Sequence, residues 1–378
     1  MKQMKIGIVC PYDLSLSGGV QNIVLAMHER MLNRGVKAKI ISVQPERKIS
    51  LKEAVFFGKA TPIKWNGAMS SFNLGSVAAD QEISGYLRRE KFDALVIHEP
   101  LIPFLNWEVM NFSGAPRIGW FHATTINNPW EFPTNLVVEP VQMWLKSKLS
   151  GMIAISASAK QVWKKVFGRE GIIISGGVDV RKFTEAVPAD LGDAEAIKLL
   201  FVGRLDERKG ILDLIRAVGM AIKKVNLRLW IVGDGPQMQD AWDLVKSLNL
   251  GGKVRFTGRI ANKELAGYYK GADIYCAPSW GGESLGLVLL EAMAAGTPIV
   301  AYANPGYKYT LTGYPWKKGL AAVKSIKQLA GAIEELAQRP ELRQELAEWE
   351  QRKVREFDWE VMTDKFLDYV GEVVRKNA

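Results

Sequence analysis

Residues 5–35, KIGIVCPYDLSLSGGVQNIVLAMHERMLNRG, decide the architecture. KIGIVC is a short apolar run of the kind a parallel strand buried on both faces requires. PYDLSLSGG is dense in turn formers, and VQNIVLAMHERMLNRG carries apolar residues at helical spacing up to a glycine stop at Gly35. A strand, a glycine loop and a helix in that order open a doubly wound α/β sheet. The preceding lysines flank an apolar stretch of only about seven residues with no small-residue cleavage site after it, so the segment reads as strand rather than secretory leader.

The same alternation continues outward. VKAKIISV, FDALVIHE, PRIGWFHA and GMIAIS supply further β-rich apolar runs between helical stretches, as in a parallel sheet covered on both faces. A second series starts at IKLLFVGRL (197–205) and runs through KGILDLIRAVGMAIKKV, LRLWIVGDG, QMQDAWDLVKSLN, KVRFTG, NKELAGYYKGA, DIYCAPS, a helix over 284–295 and TPIVAY. At 378 residues the chain exceeds the usual size of one domain. Two Rossmann-like α/β domains facing across a cleft are expected, over 1–180 and 181–358. VDVRKFTEAVPADLGDAEA (178–196), with no period and with Pro, Gly and acidic residues, reads as the linker. The stretch 359–378 is expected to return to the first domain as a final helix.

Apolar content of 48% and charged content of 24% fit a folded, water-soluble protein rather than a disordered or fibrous one. The two cysteines, Cys10 and Cys276, each sit inside a β-like apolar run, which argues against a disulfide framework or zinc cluster and for a reducing cytoplasm. Glu291, Gly296 and Pro298 break the longest apolar region, leaving no bilayer-spanning segment. Net charge is +10, and residues 1–180 hold 21 Lys and Arg against 14 Asp and Glu. A basic first half attracts phosphates, anionic lipid or nucleic acid without choosing among them.

Ligands of open α/β sheets bind at the carboxyl ends of the strands, where loops feed helix N-termini. Four segments fall there. Gly18 and Gly19 follow strand one, let backbone approach a ligand, and precede a helix N-terminus that favours anions; a plain tight turn is the alternative. GRLDERKG (203–210) presents Arg204 and Lys209 beside a helix start, a pair suited to a diphosphate or simply solvated. GDGPQM (233–238) has Met238 where a dinucleotide fingerprint needs its third glycine and lies outside a first-strand position, so it reads as a turn rather than an NAD site. In SWGGESLGLVLLEAMAAGTPIVA (279–301), Ser284 reads as a helix cap, Glu283 as lying at the helix entrance, and Glu291 as two turns further, roughly 12 Å along the axis. An unpaired buried carboxylate is unfavourable, so the two glutamates are either engaged in the fold or hold two separate hydroxyl-rich groups of one extended ligand.

Taken in order, the glycine loop after strand one, FVGRLDERKG, IVGDGP and GGESLGLVLLEAMAAGTPIVA resemble the retaining GT-B nucleotide-sugar glycosyltransferases of the glycogen-synthase-like group. Within it, VCPYDLSLSGGVQ, the Asn-Gly of KWNGAMSSFNLG, FDALVIHEP, FHATT and the final FDW are most similar to the bacterial phosphatidylinositol mannosyltransferases. The resemblance spans nearly the whole chain. It implies that Arg204 and Lys209 bind the donor diphosphate, that Gly18 and Gly19 approach the same region, and that Ser284, Leu285, Gly286 and Leu287 line the donor site. It further implies that Glu291 holds the nucleotide ribose, Glu283 the donor sugar, and His122 a place near the reacting carbon. Tyr12, Gln21 and Asn66 match positions on the acceptor side. No DxD sequence occurs, so the resemblance implies a metal-independent reaction, with no cofactor.

ISGGVDV departs from the family's Pro-Asn-Gly, Leu285 stands where Phe is common, and ANKEL after TGRI lacks the pattern associated with guanine recognition. GDP-mannose is the favoured donor, with UDP-sugars open. Phosphatidylinositol or a related lipid is the favoured acceptor, with a soluble acceptor open. A nucleic-acid-binding protein is the competing class, but no helix-turn-helix, zinc-finger or RNA-binding aromatic motif is present; an epimerase would reveal itself on donor alone. A lipid acceptor implies reversible contact with an anionic membrane at the inner face of the cell membrane. SVAADQEISGYLRREKF (76–92) is the candidate segment: Ile83, Tyr86, Leu87 and Phe92 are expected to form an apolar stripe packed on the sheet, leaving Arg88, Arg89 and Lys91 to attract lipid.

Overall fold

The computed structural model describes residues 4–16, 18–65, 68–73, 77–122, 135–192 and 195–378. The chain forms two compact units, Met1–Gly176 with Trp359–Ala378, and Gly177–Asp358.

The first unit runs β1 (Lys5–Cys10), α1 (Gly19–Asn33), β2 (Lys37–Gln44), β3 (Ala54–Trp65), β4 (Ala68–Asn73), α2 (Val77–Glu90), β5 (Ala94–His98), α3 (Leu105–Phe112), β6 (Arg117–Phe121), α4 (Asn135–Lys148), β7 (Gly151–Ala154), α5 (Ala157–Phe167) and β8 (Ile172–Ile173). Its sheet order is β4-β3-β2-β1-β5-β6-β7-β8. Every pair is parallel except β3 with β4. β1 and β5 are buried almost throughout, which is why KIGIVC and ALVIH are apolar rather than alternating. The strand order reverses between β1 and β5, so the loop from Pro11 to Gly18 emerges at a topological switch point. The β3–β4 hairpin was not foreseen from the sequence. The apolar stripe of α2 is used in packing: Ile83, Leu87 and Phe92 are buried, and Tyr86 packs on Phe57 and Phe92 at ring distances of 5.6 and 6.1 Å. Arg88, Arg89 and Lys91 remain exposed.

The second unit runs α6 (Val180–Thr184), β9 (Ile197–Val202), α7 (Ile211–Ala221), β10 (Leu227–Val232), α8 (Met238–Ser247), β11 (Val254–Gly258), α9 (Asn262–Gly271), β12 (Ile274–Ala277), α10 (Leu287–Ala295), β13 (Ile299–Tyr302), α11 (Pro305–Thr310), β14 (Leu320–Ala321), α12 (Ile326–Gln338) and α13 (Pro340–Lys353). The sheet order is β11-β10-β9-β12-β13-β14, parallel throughout. Its order reverses between β9 and β12, which puts the loops after these two strands at the switch point. Residues 178–196 are not a free linker. Phe183 of α6 is buried and meets the Tyr269 ring edge-on at 5.7 Å, and the Thr184 hydroxyl donates to the Ala294 carbonyl, so the stretch belongs to the second unit.

The last helix, α14 (Trp359–Asn377), completes the first unit. Phe366 stacks on Trp120 at 5.5 Å, the Tyr369 hydroxyl accepts from the Met152 amide and donates to the Met152 carbonyl, and the Arg34 guanidinium pairs with Glu360 and Asp364. Among the described residues no helix is long and apolar enough to cross a membrane.

Candidate active site

The carboxyl end of β9 leads into Gly203–Gly210, which includes a 3-10 turn at Glu207–Lys209. This loop is held by its neighbour, Gly233–Gln237. The Leu205 amide donates to the Asp234 carbonyl (3.0 Å), and the Gln237 amide donates to the Leu205 carbonyl (2.9 Å). Gly233, at φ 133°, lies so close to Gly203 that a methyl group would overlap the Gly203 carbonyl oxygen. That contact is the physical reason for glycine in GDGP. Arg204 projects from the loop, exposed and without a side-chain partner among the described residues.

Opposite it, the loop after β12 carries Glu283. The Trp280 amide donates to the Arg208 carbonyl (2.7 Å), and Ser279 Oγ lies 3.1 Å from the same carbonyl oxygen. Asn304, wholly buried, donates to the Ser279 carbonyl (2.9 Å) and caps α11 by accepting from the Tyr307 amide (3.0 Å). Gly306 packs directly against the Glu283 carbonyl, and the Thr310 hydroxyl donates to the Leu285 carbonyl. So α11 fixes the loop from behind.

Glu283 Oε1 accepts from Lys209 Nζ at 2.7 Å, Arg208 Nη1 at 3.1 Å and Ser279 Oγ at 3.1 Å. Burial pushes its carboxyl up, but Lys209 and then Arg208 outweigh that and hold it below the ordinary carboxylate value. Glu283 is therefore an ionised, nearly enclosed anion. Ser284 does not cap the helix as expected: α10 begins at Leu287 with Gly286 at the cap position, φ 77°, against the Tyr307 ring. A side chain at 286 would meet both the left-handed backbone and that ring, which delays the helix by three residues and lengthens the loop. Leu285 is buried.

Because the helix starts late, Glu291 lies little more than one turn in, not two. Its Oε2 accepts from the Tyr269 hydroxyl at 2.8 Å. Burial raises its carboxyl to about 7, against the Tyr269 hydrogen bond and the charge of Lys182. The buried Tyr275 hydroxyl feels both carboxylates; burial first, then Glu291 and Glu283, hold it well above the ordinary phenol range.

In the first unit, Gly19 opens α1 and a methyl there would meet nothing within 4 Å, whereas a methyl at Gly18 would meet only the flexible Gln21 side chain. The preceding loop is held by Asp13, fully buried, which accepts from the Ser15 (2.7 Å) and Glu46 (2.9 Å) amides. Tyr12 accepts from the Ser42 hydroxyl through its carbonyl, and Gln21 donates weakly to the Asp13 carbonyl at 3.5 Å. His122 directly follows β6 and is buried. Its Nε2 lies 2.8 Å from His98 Nδ1 and its amide donates to Glu99 Oε1. Burial lowers the imidazole to about 3, so it is neutral at physiological pH. Asn66 lies outside the described residues.

The structure thus joins Lys209 with Glu283 and places Arg204 on the same loop, while Glu291 has a separate partner in Tyr269. Sequence reasoning missed Arg208 and Ser279. The first was legible as the neighbour of Lys209 in DERKG; the second gave no signal.

Two open αβ sheets, the first parallel but for one hairpin and the second parallel throughout with cations and an ionised glutamate at its switch point, have the architecture of a GT-B enzyme. Residues 17–182 match the family model "Glycosyltransferase Family 4" and residues 184–353 "Glycosyl transferases group 1". A Mycolicibacterium smegmatis protein named phosphatidyl-myo-inositol mannosyltransferase is 31% identical over 370 residues, covering 96% of this chain and 92% of its own. One of the same name from Mycobacterium leprae is 33% identical over 376 residues, covering 96% of each. Sucrose-phosphate synthase from Thermosynechococcus elongatus shares the fold at TM-score 0.77 and 20% identity, over 99% of this chain and 100% of that one. The chain belongs to the group 1 family of GT-B glycosyltransferases.

Proposed function

We propose that the enzyme transfers mannose from GDP-mannose to a hydroxyl of phosphatidylinositol or a related lipid, with retention of anomeric configuration and without a metal ion. The observation that carries this reading is the Lys209–Glu283 contact at 2.7 Å, which puts a cation suited to a leaving diphosphate beside a carboxylate suited to sugar hydroxyls. The names of the mannosyltransferase relatives supply the sugar and the acceptor class.

In this reading Arg204 and Lys209 take the diphosphate, aided by the backbone amides of Ser284–Leu287 and the N-terminus of α10. Glu291 accepts from the ribose hydroxyls. The bond between anomeric carbon and diphosphate oxygen breaks as the acceptor oxygen bonds to the same face, and the acceptor proton passes to the departing phosphate. Negative charge grows on the diphosphate during that step, so fixed cations there stabilise the transition state more than the ground state. Gly18 and Gly19 are assigned to the diphosphate region, His122 to the donor sugar, and Tyr12, Gln21 and Asn66 to the acceptor side; His122, neutral at working pH, offers a hydrogen bond rather than a charge.

A thermal-shift panel of GDP-, UDP- and ADP-sugars tests the donor, since a ligand at 100 times its Kd adds about 2.7 kcal/mol to stability. GDP-mannose is expected to give the largest shift. Transfer to phosphatidylinositol in mixed micelles, with the product anomer read by NMR, tests acceptor and stereochemistry. A larger shift with a UDP-sugar, or transfer only to a soluble inositol phosphate, would replace this reading.

A further inference from the structure

We propose that Arg208 is a positioning residue that keeps Glu283 ionised and aimed once Lys209 is taken over by the donor diphosphate; this rests on the donor-site reading above.

The case lies in an asymmetry between adjacent cations. Lys209 Nζ has one protein partner among the described residues, Glu283 Oε1. Arg208 has several in the same loop: Nη1 donates to Glu283 Oε1 at 3.1 Å and lies 3.4 Å from both the Gly281 and Gly282 carbonyl oxygens. Its own carbonyl is pinned by the Trp280 amide, so the residue is tied at both ends to the loop that carries Glu283. Trp280 is fixed in turn, its indole donating to the buried Asp213 carboxylate at 2.8 Å.

Without donor, the Lys209 charge is satisfied by Glu283. A dianionic diphosphate draws the flexible lysine toward itself, and a carboxylate left alone in so enclosed a place would take up a proton or turn away. Arg208 prevents both, because a guanidinium stays charged and presents its donors in a fixed fork. With Ser279 it holds one oxygen of Glu283, leaving the other lone pairs for sugar hydroxyls. The lysine is thus handed from carboxylate to phosphate while the arginine stays.

Arg208→Gln removes the charge and keeps a donor. The expected result is a fall in kcat of at least tenfold with GDP-mannose, a Kd for free GDP within twofold of wild type, and an acid limb of the kcat profile moved to higher pH. Arg208→Lys is expected to restore part of kcat. Ser279→Ala, which takes away the other persistent hydrogen bond to Glu283, is expected to lower kcat in the same way and serves if Arg208→Gln fails to fold. Wild-type kcat and pH profile in both Arg208→Gln and Ser279→Ala would overturn the proposal. So would loss of GDP affinity in Arg208→Gln as large as in Lys209→Ala, since Arg208 would then be a phosphate ligand. If wild-type protein binds no nucleoside diphosphate, the donor-site reading itself fails, before any variant is compared.

Discussion

Replacing Glu291 by Gln separates what this carboxylate does for the fold from what it does for a ligand. Burial raises the group from 4.5 to about 7 in the native state, against Tyr269 and Lys182. Between those pH values the native protein holds a proton that the unfolded chain has released. The associated stability is therefore full below about 4.5 and is lost as pH rises through about 7. At about 1.36 kcal/mol per pH unit, the span corresponds to about 3 kcal/mol, an upper figure because the side chain keeps some solvent contact. Glutamine has nearly the same shape, its amide oxygen still accepts from the Tyr269 hydroxyl, and it has no proton to lose. Glu291→Gln is expected to come near wild type at pH 5 and to exceed its Tm at pH 8, by up to roughly 6–12 °C at about 2–4 °C per kcal/mol. Glu350, also buried and raised, is present in both proteins and cancels. At pH 8, where Glu291 is ionised, the same change turns a charged hydrogen bond to ribose in the proposed site into a neutral one, so GDP affinity should fall about tenfold, near 1.4 kcal/mol. Scanning fluorimetry from pH 5 to 8 and calorimetric titration with GDP read the two effects. A Tm difference that does not change with pH refutes the raised carboxyl, and undiminished GDP affinity refutes the ribose assignment.

Arg204→Ala and Lys209→Ala should each lower turnover by about two to three orders of magnitude with the fold intact, as loss of a donor to developing charge typically does; unchanged kcat/KM would remove them from the site. Glu283→Ala should abolish sugar transfer while GDP binding, read by calorimetry, stays within a few-fold of wild type. Gly233→Ala should destabilise the second unit by about 3 kcal/mol or more in denaturant titration, because the methyl has no space against the Gly203 carbonyl. Replacing Arg88, Arg89 and Lys91 by Ser should weaken co-sedimentation with anionic vesicles by up to about 3 kcal/mol, near one per charge, and high salt should do the same; equal binding of wild type to neutral vesicles would defeat that expectation.

The strands that form the two sheet centres were readable because burial on both faces leaves them apolar throughout, as in KIGIVC and IKLLFV. The β3–β4 hairpin was not, since AVFFGKATPIKW changes partner halfway, pairing β2 through Lys59 and β4 from Ala60 onward, so no single period runs along it. Lys209 and Glu283 were legible as residue types at strand ends. Their contact was not, because it depends on Gly210, which packs against the Pro278 carbonyl, and on Asn304 and Gly306 bringing distant loops together. The helix start at Leu287 was misread for a related reason: Gly286 is fixed by the Tyr307 ring, and nothing local to GGESLG announces that neighbour.

The second unit is one uninterrupted stretch, whereas the first lacks α14 until the chain beyond Asp358 is available. During synthesis on the ribosome, Gly177–Asp358 can fold as soon as it emerges. The part made earlier must meanwhile wait with Trp120 and the Met152 edge uncovered, and closes only when Phe366 and Tyr369 arrive. The first unit thus cannot close without the last helix, and loss of the residues beyond 358 would leave a complete second unit joined to an unfinished, aggregation-prone first one.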